Sequence, residues 1–147
     1  MKRLMKPVID QFLKLIPHMR ELNIRYSAVG RDWAELILPY DERLVAYPAE
    51  DGGPGIIASG AVFTLMDSVA GFAVQAARRV PSGLATVDLR LDYLRPARPG
   101  EPITGYAKVH KLTRSIAFVR GYAHDGDRED PIAMMAGCFM GTSGAKS

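Results

Sequence analysis

One segment limits the folds open to this chain more than any other. Ala61–Ala77 reads AVFTLMDSVAGFAVQAA, seventeen residues with Asp67 as the sole charge. A helix apolar nearly all round must be wrapped by other elements rather than laid on a surface. Ile56–Ala77 is long enough to span a bilayer. It nevertheless carries Asp67 near its middle, with Ser59, Thr64, Ser68 and Gln75, which points to a helix inside a soluble protein. Ser59 is the expected N-cap. The helix is expected to run to about Arg79, with Arg78 and Arg79 at the negative end of its dipole.

What wraps it follows in sequence. In Leu84–Leu94 (LATVDLRLDYL) the period changes from 3.6 to 2. Ala85, Val87, Leu89, Leu91 and Tyr93 fall on one face, and Thr86, Asp88, Arg90 and Asp92 on the other. Pro96, Pro99 and Gly100 end it. Ile103–His110, Ser115–His124 and Ile132–Gly141 read as further strands, joined by Lys111–Arg114 and the polar turn Asp125–Pro131. Short turns between consecutive strands imply antiparallel pairing. Before the helix, Val8, Ile9, Phe12, Leu15 and Ile16 recur at helical spacing, with Pro7 in the first turn and Pro17 ending the pattern. Trp33–Pro39 alternates as a strand, and Tyr47–Gly55 is a Pro- and Gly-rich loop. The tail after Thr142 is expected to fray. The pattern predicts one α+β domain over residues 1–147, an antiparallel sheet curled around one long helix.

Composition agrees. The chain has 147 residues, 48% apolar and 24% charged, with a formal charge of +3. That is ordinary globular usage, with no basic cluster interleaved with aromatics to suggest nucleic acid. Cys138 is the lone cysteine, so no intrachain disulfide can form. With no evident targeting segment, a reducing, cytoplasmic setting and no membrane partner are expected. The apolar neighbours of Cys138 suggest a buried structural thiol. No His/Cys/Asp spacing suggests a metal, no serine sits in a hydrolase motif, and Gly52–Gly55 lacks the context of a phosphate loop. His18, His110 and His124 are scattered, and Phe63, Phe72, Met66 and Met135 suggest an apolar pocket. Asp67 is left as the chemical candidate, because an ionised carboxylate among apolar residues must be paired, hydrogen-bonded or employed.

Gly55–Ala73, GIIASGAVFTLMDSVAGFA, resembles the central helix of hotdog-fold acyl-CoA thioesterases of the phenylacetic-acid-degradation type. Their usual pattern is G-x-x-H-G-G, six residues, D, then often x-x-x-G-x-A. Gly60, Leu65, Asp67, Gly71 and Ala73 match it. ATVDLRLDYLRPARPGEPITGYAKVHKLTRSIAFVRGYAHD resembles the same family's strand, R-P-A turn and next hairpin. The resemblance implies hydrolysis of an acyl-CoA thioester, with coenzyme A as part of the substrate and no separate cofactor. Asp67 would be general base or nucleophile, and the Ser59 amide beside Gly60 the oxyanion donor. Thr86 matches a hydroxyl that in some relatives comes from the partner subunit. A homodimer or dimer of dimers (a homotetramer) is implied, with the site between subunits. Ala58 and Ser59 stand where the family has His and Gly, which keeps a non-catalytic acyl-CoA or fatty-acyl binder as the alternative. Coenzyme A phosphates call for basic residues, and Arg95, Arg98, Lys111 and Arg114, in the two turns flanking Ile103–His110, are the candidates.

Overall fold

A computed structural model describes residues 2–79 and 83–142. The chain opens with helices α1 (Lys2–Leu15) and α2 (Pro17–Glu21), then strands β1 (Arg25–Val29) and β2 (Trp33–Leu38). A single 3-10 turn (Glu42–Leu44) leads to the short strands β3 (Val45–Tyr47) and β4 (Ile56–Ile57). Helix α3 (Ser59–Arg78) follows, then β5 (Gly83–Tyr93), β6 (Ile103–Leu112), β7 (Ile116–His124) and β8 (Ala133–Thr142). Pro17 does not simply end the first helix. It occupies the first turn of a second one, where its missing N–H costs nothing.

Six strands form one antiparallel sheet in the order β1-β2-β6-β7-β8-β5. The sheet curls over α3, giving the hotdog architecture. Residues alternate strictly along β6, β7 and β8: Ile103, Gly105, Ala107 and Val109, then Ala117, Val119, Gly121 and Ala123, then Ala133, Met135, Gly137 and Phe139 face the helix. Leu65, Met66, Val69 and Val74 of α3 are fully buried against them, each worth about 1.5–3 kcal/mol of apolar burial. Gly105 sets how closely α3 approaches. A Cβ there would stand 3.0 Å from Met66 Sδ and 3.1 Å from Leu65 Cγ.

Met66 and Met135 therefore belong to the core, and Phe72 meets Phe12 of α1 edge to face at 5.8 Å. Of the four residues expected to line an apolar pocket, Phe63 alone is exposed. Cys138 is not buried. The register that turns Gly137 and Phe139 inward leaves it half-exposed on the outer face of the sheet. Arg78 leaves the helix end to donate to the carbonyls of Arg114 and Ser115, at 3.4 and 3.0 Å. Arg79 closes α3 in the left-handed conformation at φ 58°.

Candidate active site

Helix α3 begins at Ser59 as expected, but its N-cap is Ala58 rather than Ser59. Ala58 is extended and serves as N-cap without any side-chain bond. Its N–H donates to Leu44 O at 2.8 Å, and its carbonyl accepts from Ala61 and Val62. Ser59 is thus the first helical residue. Among the described residues, neither its N–H nor that of Gly60 is bonded. Free amides at the positive end of a twenty-residue helix can receive developing negative charge. Gly60 leaves the approach open, since nothing lies within 4 Å of where its Cβ would be. The Tyr93 hydroxyl donates to Ser59 O at 2.8 Å and pins the strand to this turn. Partial burial raises the phenol's pKa, keeping it a donor.

Asp67 lies two turns further along, about 12 Å up the axis. It is half-buried rather than enclosed. The Thr86 hydroxyl of the same chain donates to its Oδ1 at 2.8 Å. This contact depends on an irregularity that simple alternation misses. Thr86 pairs with Phe139 and Asp88 with Cys138, so Val87 is an extra residue, a β-bulge. Downstream of the bulge Leu89, Leu91 and Tyr93 face the helix as expected. Upstream of it the parity reverses, and Thr86 turns inward to Asp67 instead of outward with Asp88, Arg90 and Asp92. Val87 is left 57% exposed on the edge strand.

Gly60, Phe63, Thr64, Asp67 and Gly71 form one stripe of α3 that the chain's own sheet does not fully cover. β5 flanks it on one side. On the other, α2 and the 3-10 turn leave an open cleft of about 280 Å³. Leu22, Leu44, Val45, Ala58 and Ala61 contribute its apolar wall, and Gly60, His18 and Arg43 are exposed at its rim. His18 had no assigned role in the sequence because Pro17 was read as a terminus. A Pro followed by a helix-compatible stretch is also a start signal, and that signal would have found it.

The four basic candidates do not converge. Arg95 is engaged within the chain: its Nη1 and Nη2 meet the buried carboxylate of Asp125 at 2.9 and 2.7 Å, and its Nε meets Asp130 at 3.0 Å. This pair holds the Asp125 carboxyl down at about 2, and Asp125 also accepts from the Arg98 N–H at 2.7 Å. Arg95 is thus engaged by two acids of its own chain. Arg98, Lys111 and Arg114 are exposed. Arg98 precedes β6, whereas Lys111 is its ninth residue, not part of a turn, and Arg114 follows it, so roughly 26 Å of strand separates Arg98 from the other two.

Of the remaining histidines, His110 is exposed and His124 buried. His124 Nδ1 accepts from Gly126 N–H at 3.2 Å, and burial lowers its pKa. Glu35 was missed by sequence reading. It is a buried carboxylate on β2 that accepts from Ser27 and Arg128, both at 2.7 Å. Like Asp67 it is the lone charge of an apolar run, WAELILP, and that isolation is its signal in the sequence.

A six-stranded antiparallel sheet around one long helix, with an acid on the helix and free amides at its start, is the hotdog architecture. The chain belongs to the thioesterase superfamily, whose family description matches residues 54–132. It is 34% identical over 85 residues to Pseudomonas aeruginosa PA0474, described as a candidate esterase. That match covers 58% of this chain and 62% of the relative, so it spans under two thirds of that protein's length. A crystal structure of another Pseudomonas aeruginosa protein superposes with a TM-score of 0.78 at 30% identity, covering 89% of this chain and 94% of that one. The Escherichia coli PaaI protein from the phenylacetic acid degradation operon superposes with a TM-score of 0.75 over 95% of each chain. At 14% identity this is a likeness of fold.

Proposed function

We propose that this protein hydrolyses acyl-CoA thioesters to a free acid and coenzyme A. The observation that carries the reading is the Thr86–Asp67 hydrogen bond on the open stripe of α3, in line with the free amides at the helix start. A thioester is already activated, so a carboxylate and an oxyanion donor suffice. Thr86 occupies Oδ1 and fixes the carboxylate plane. Oδ2, with no hydrogen bond among the described residues, is available to take a proton from water or to attack the carbonyl carbon itself. The tetrahedral oxyanion then sits on the Ser59 amide, and its collapse expels coenzyme A as the thiolate, giving the free acid directly where water attacked, or a mixed anhydride on Asp67 that a water then opens where the carboxylate attacked.

The amide and the acid of one chain are about 12 Å apart along the axis, too far to meet on one carbonyl. The site is therefore completed by a second copy, with the Ser59 amide of one chain facing Asp67 of the other. β5 supports this, because it is an eleven-residue edge strand with one side unpaired. Asp67→Asn keeps the shape and removes the base, so kcat should fall at least about a hundredfold with folding retained. Thr86→Val should cost about tenfold, the scale of a hydrogen bond to a charged group. Near-parental turnover by Asp67→Asn would move the weight to a non-catalytic acyl-CoA binder. Label that enters the protein in a single turnover in ¹⁸O-water identifies attack by the carboxylate, with water opening the mixed anhydride at the Asp67 carbonyl; base catalysis places label in the released acid.

A further inference from the structure

The cleft beside the helix start has no part in the arrangement above, and its composition is uneven. Its inner wall is apolar (Leu22, Leu44, Val45, Ala58 and Ala61) except at Thr64, whose hydroxyl donates to the Gly60 carbonyl at 3.1 Å, while His18 and Arg43 stand at the rim. Arg43 is held by Asp41 at 2.7 Å, so the rim is polar with little net positive charge. The cleft touches Gly60, one residue from the Ser59 amide. A carbonyl resting on that amide sends two arms away from it. The coenzyme A arm is far too large for about 280 Å³. At ~30 Å³ per water-sized unit the space holds on the order of nine such units.

We propose that this cleft is the subsite for the acyl arm and that it selects short, uncharged acyl groups of up to about eight carbons. The inference rests on the thioesterase reading above. Each methylene that enters the apolar wall gains roughly fourfold in kcat/KM, the value of one buried CH₂. A longer chain must lie across His18 and the Arg43–Asp41 pair, where a methylene gains nothing and desolvates polar groups. His18 is thus a specificity-determining residue supplied by α2, and the chain-length limit is a property of the N-terminal helices rather than of α3.

The test is a kcat/KM series on the full chain with acetyl-, butanoyl-, hexanoyl-, octanoyl-, dodecanoyl- and hexadecanoyl-CoA. The expected profile rises about fourfold per methylene and breaks near eight carbons. Ala58→Leu fills the wall and should move the break to shorter chains, lowering the octanoyl-to-acetyl ratio at least about tenfold. His18→Leu makes the rim apolar and should raise the dodecanoyl-to-octanoyl ratio. The second variant alters an exposed side chain, so it reports even if the first folds poorly. A profile that climbs steadily to hexadecanoyl, or a break unmoved by both variants, overturns the subsite. No hydrolysis at any length overturns the thioesterase reading instead, and the subsite with it.

Discussion

At the scale of single residues, the carboxylate in the apolar run is left open and one that begins a polar turn is buried. Asp67 has one hydroxyl partner and an open side. Asp125 has no exposed side-chain surface, two nitrogens of Arg95 and the Arg98 amide. The second arrangement is structural and leaves an acid signature. The folded carboxyl titrates at about 2, against about 3.9 in an unfolded chain. A depressed acid stabilises the fold fully above its unfolded pKa and loses that contribution as pH falls through the folded one. About 2 kcal/mol should therefore be lost between pH ~4 and ~2. Asp125→Asn should lower stability at pH 7 by about 3 kcal/mol, leaving the exposed Asp130 to balance the Arg95 charge. It should also flatten the acid limb of a urea-denaturation series. An unchanged slope below pH 4 would take Asp125 out of the acid response.

At the scale of elements, α3 was legible because seventeen residues with a single charge admit few alternatives, and β6 to β8 because their turns are short and polar. The limits of that reading are local. Alternation through Leu84–Leu94 is correct from Leu89 onward and inverted at Thr86. A bulge is an insertion in pairing rather than in composition, and only the partner strand reveals it. The N-cap shifted by one residue because Ser59 has the right side chain, while Ala58 holds the right backbone through the Leu44 carbonyl. The short strands β1, β3 and β4 carry too few residues for a period to show. At the other end of α3, Arg79 adopts φ 58°, the conformation that glycine takes without steric cost. Arg79→Gly should raise stability by about 0.5–1 kcal/mol, the left-handed penalty less glycine's extra chain entropy. In calorimetry this corresponds to a rise of roughly 2–4 °C. A lower Tm would mean that the arginine side chain contributes more than its backbone costs.

At the scale of the whole molecule, the sheet has two ends of different character. β1 ends it on five residues, whereas β5 ends it on eleven, with Val87 and Tyr93 exposed. Long open edges invite pairing, and two β5 strands related by a twofold axis would join two sheets into one. In solution the protein should have at least twice the 16.1 kDa mass of the chain at micromolar concentration. A monomer by sedimentation would exclude the shared site. Ser59→Pro deletes the amide donor while suiting the first helical position. Mixed with Asp67→Asn chains, it should regain activity at one site per mixed dimer. The sequence could not give the positions of the basic residues. All four sit in or beside β6 in the chain, yet the length of that strand separates them in space, and Arg95 is drawn to an acid thirty residues away.

The roughly 12 Å between the Ser59 amide and Asp67 on one rigid helix has a kinetic consequence. On the proposed arrangement each chain carries two half-sites and no whole one, so the catalyst is created by a bimolecular event. Specific activity, normally independent of how much enzyme is in the cuvette, would here depend on it. Serial dilution through the dissociation constant of the dimer should turn the rate from first to second order in protein. The same dilution should leave tyrosine and tryptophan fluorescence of the folded chain largely in place.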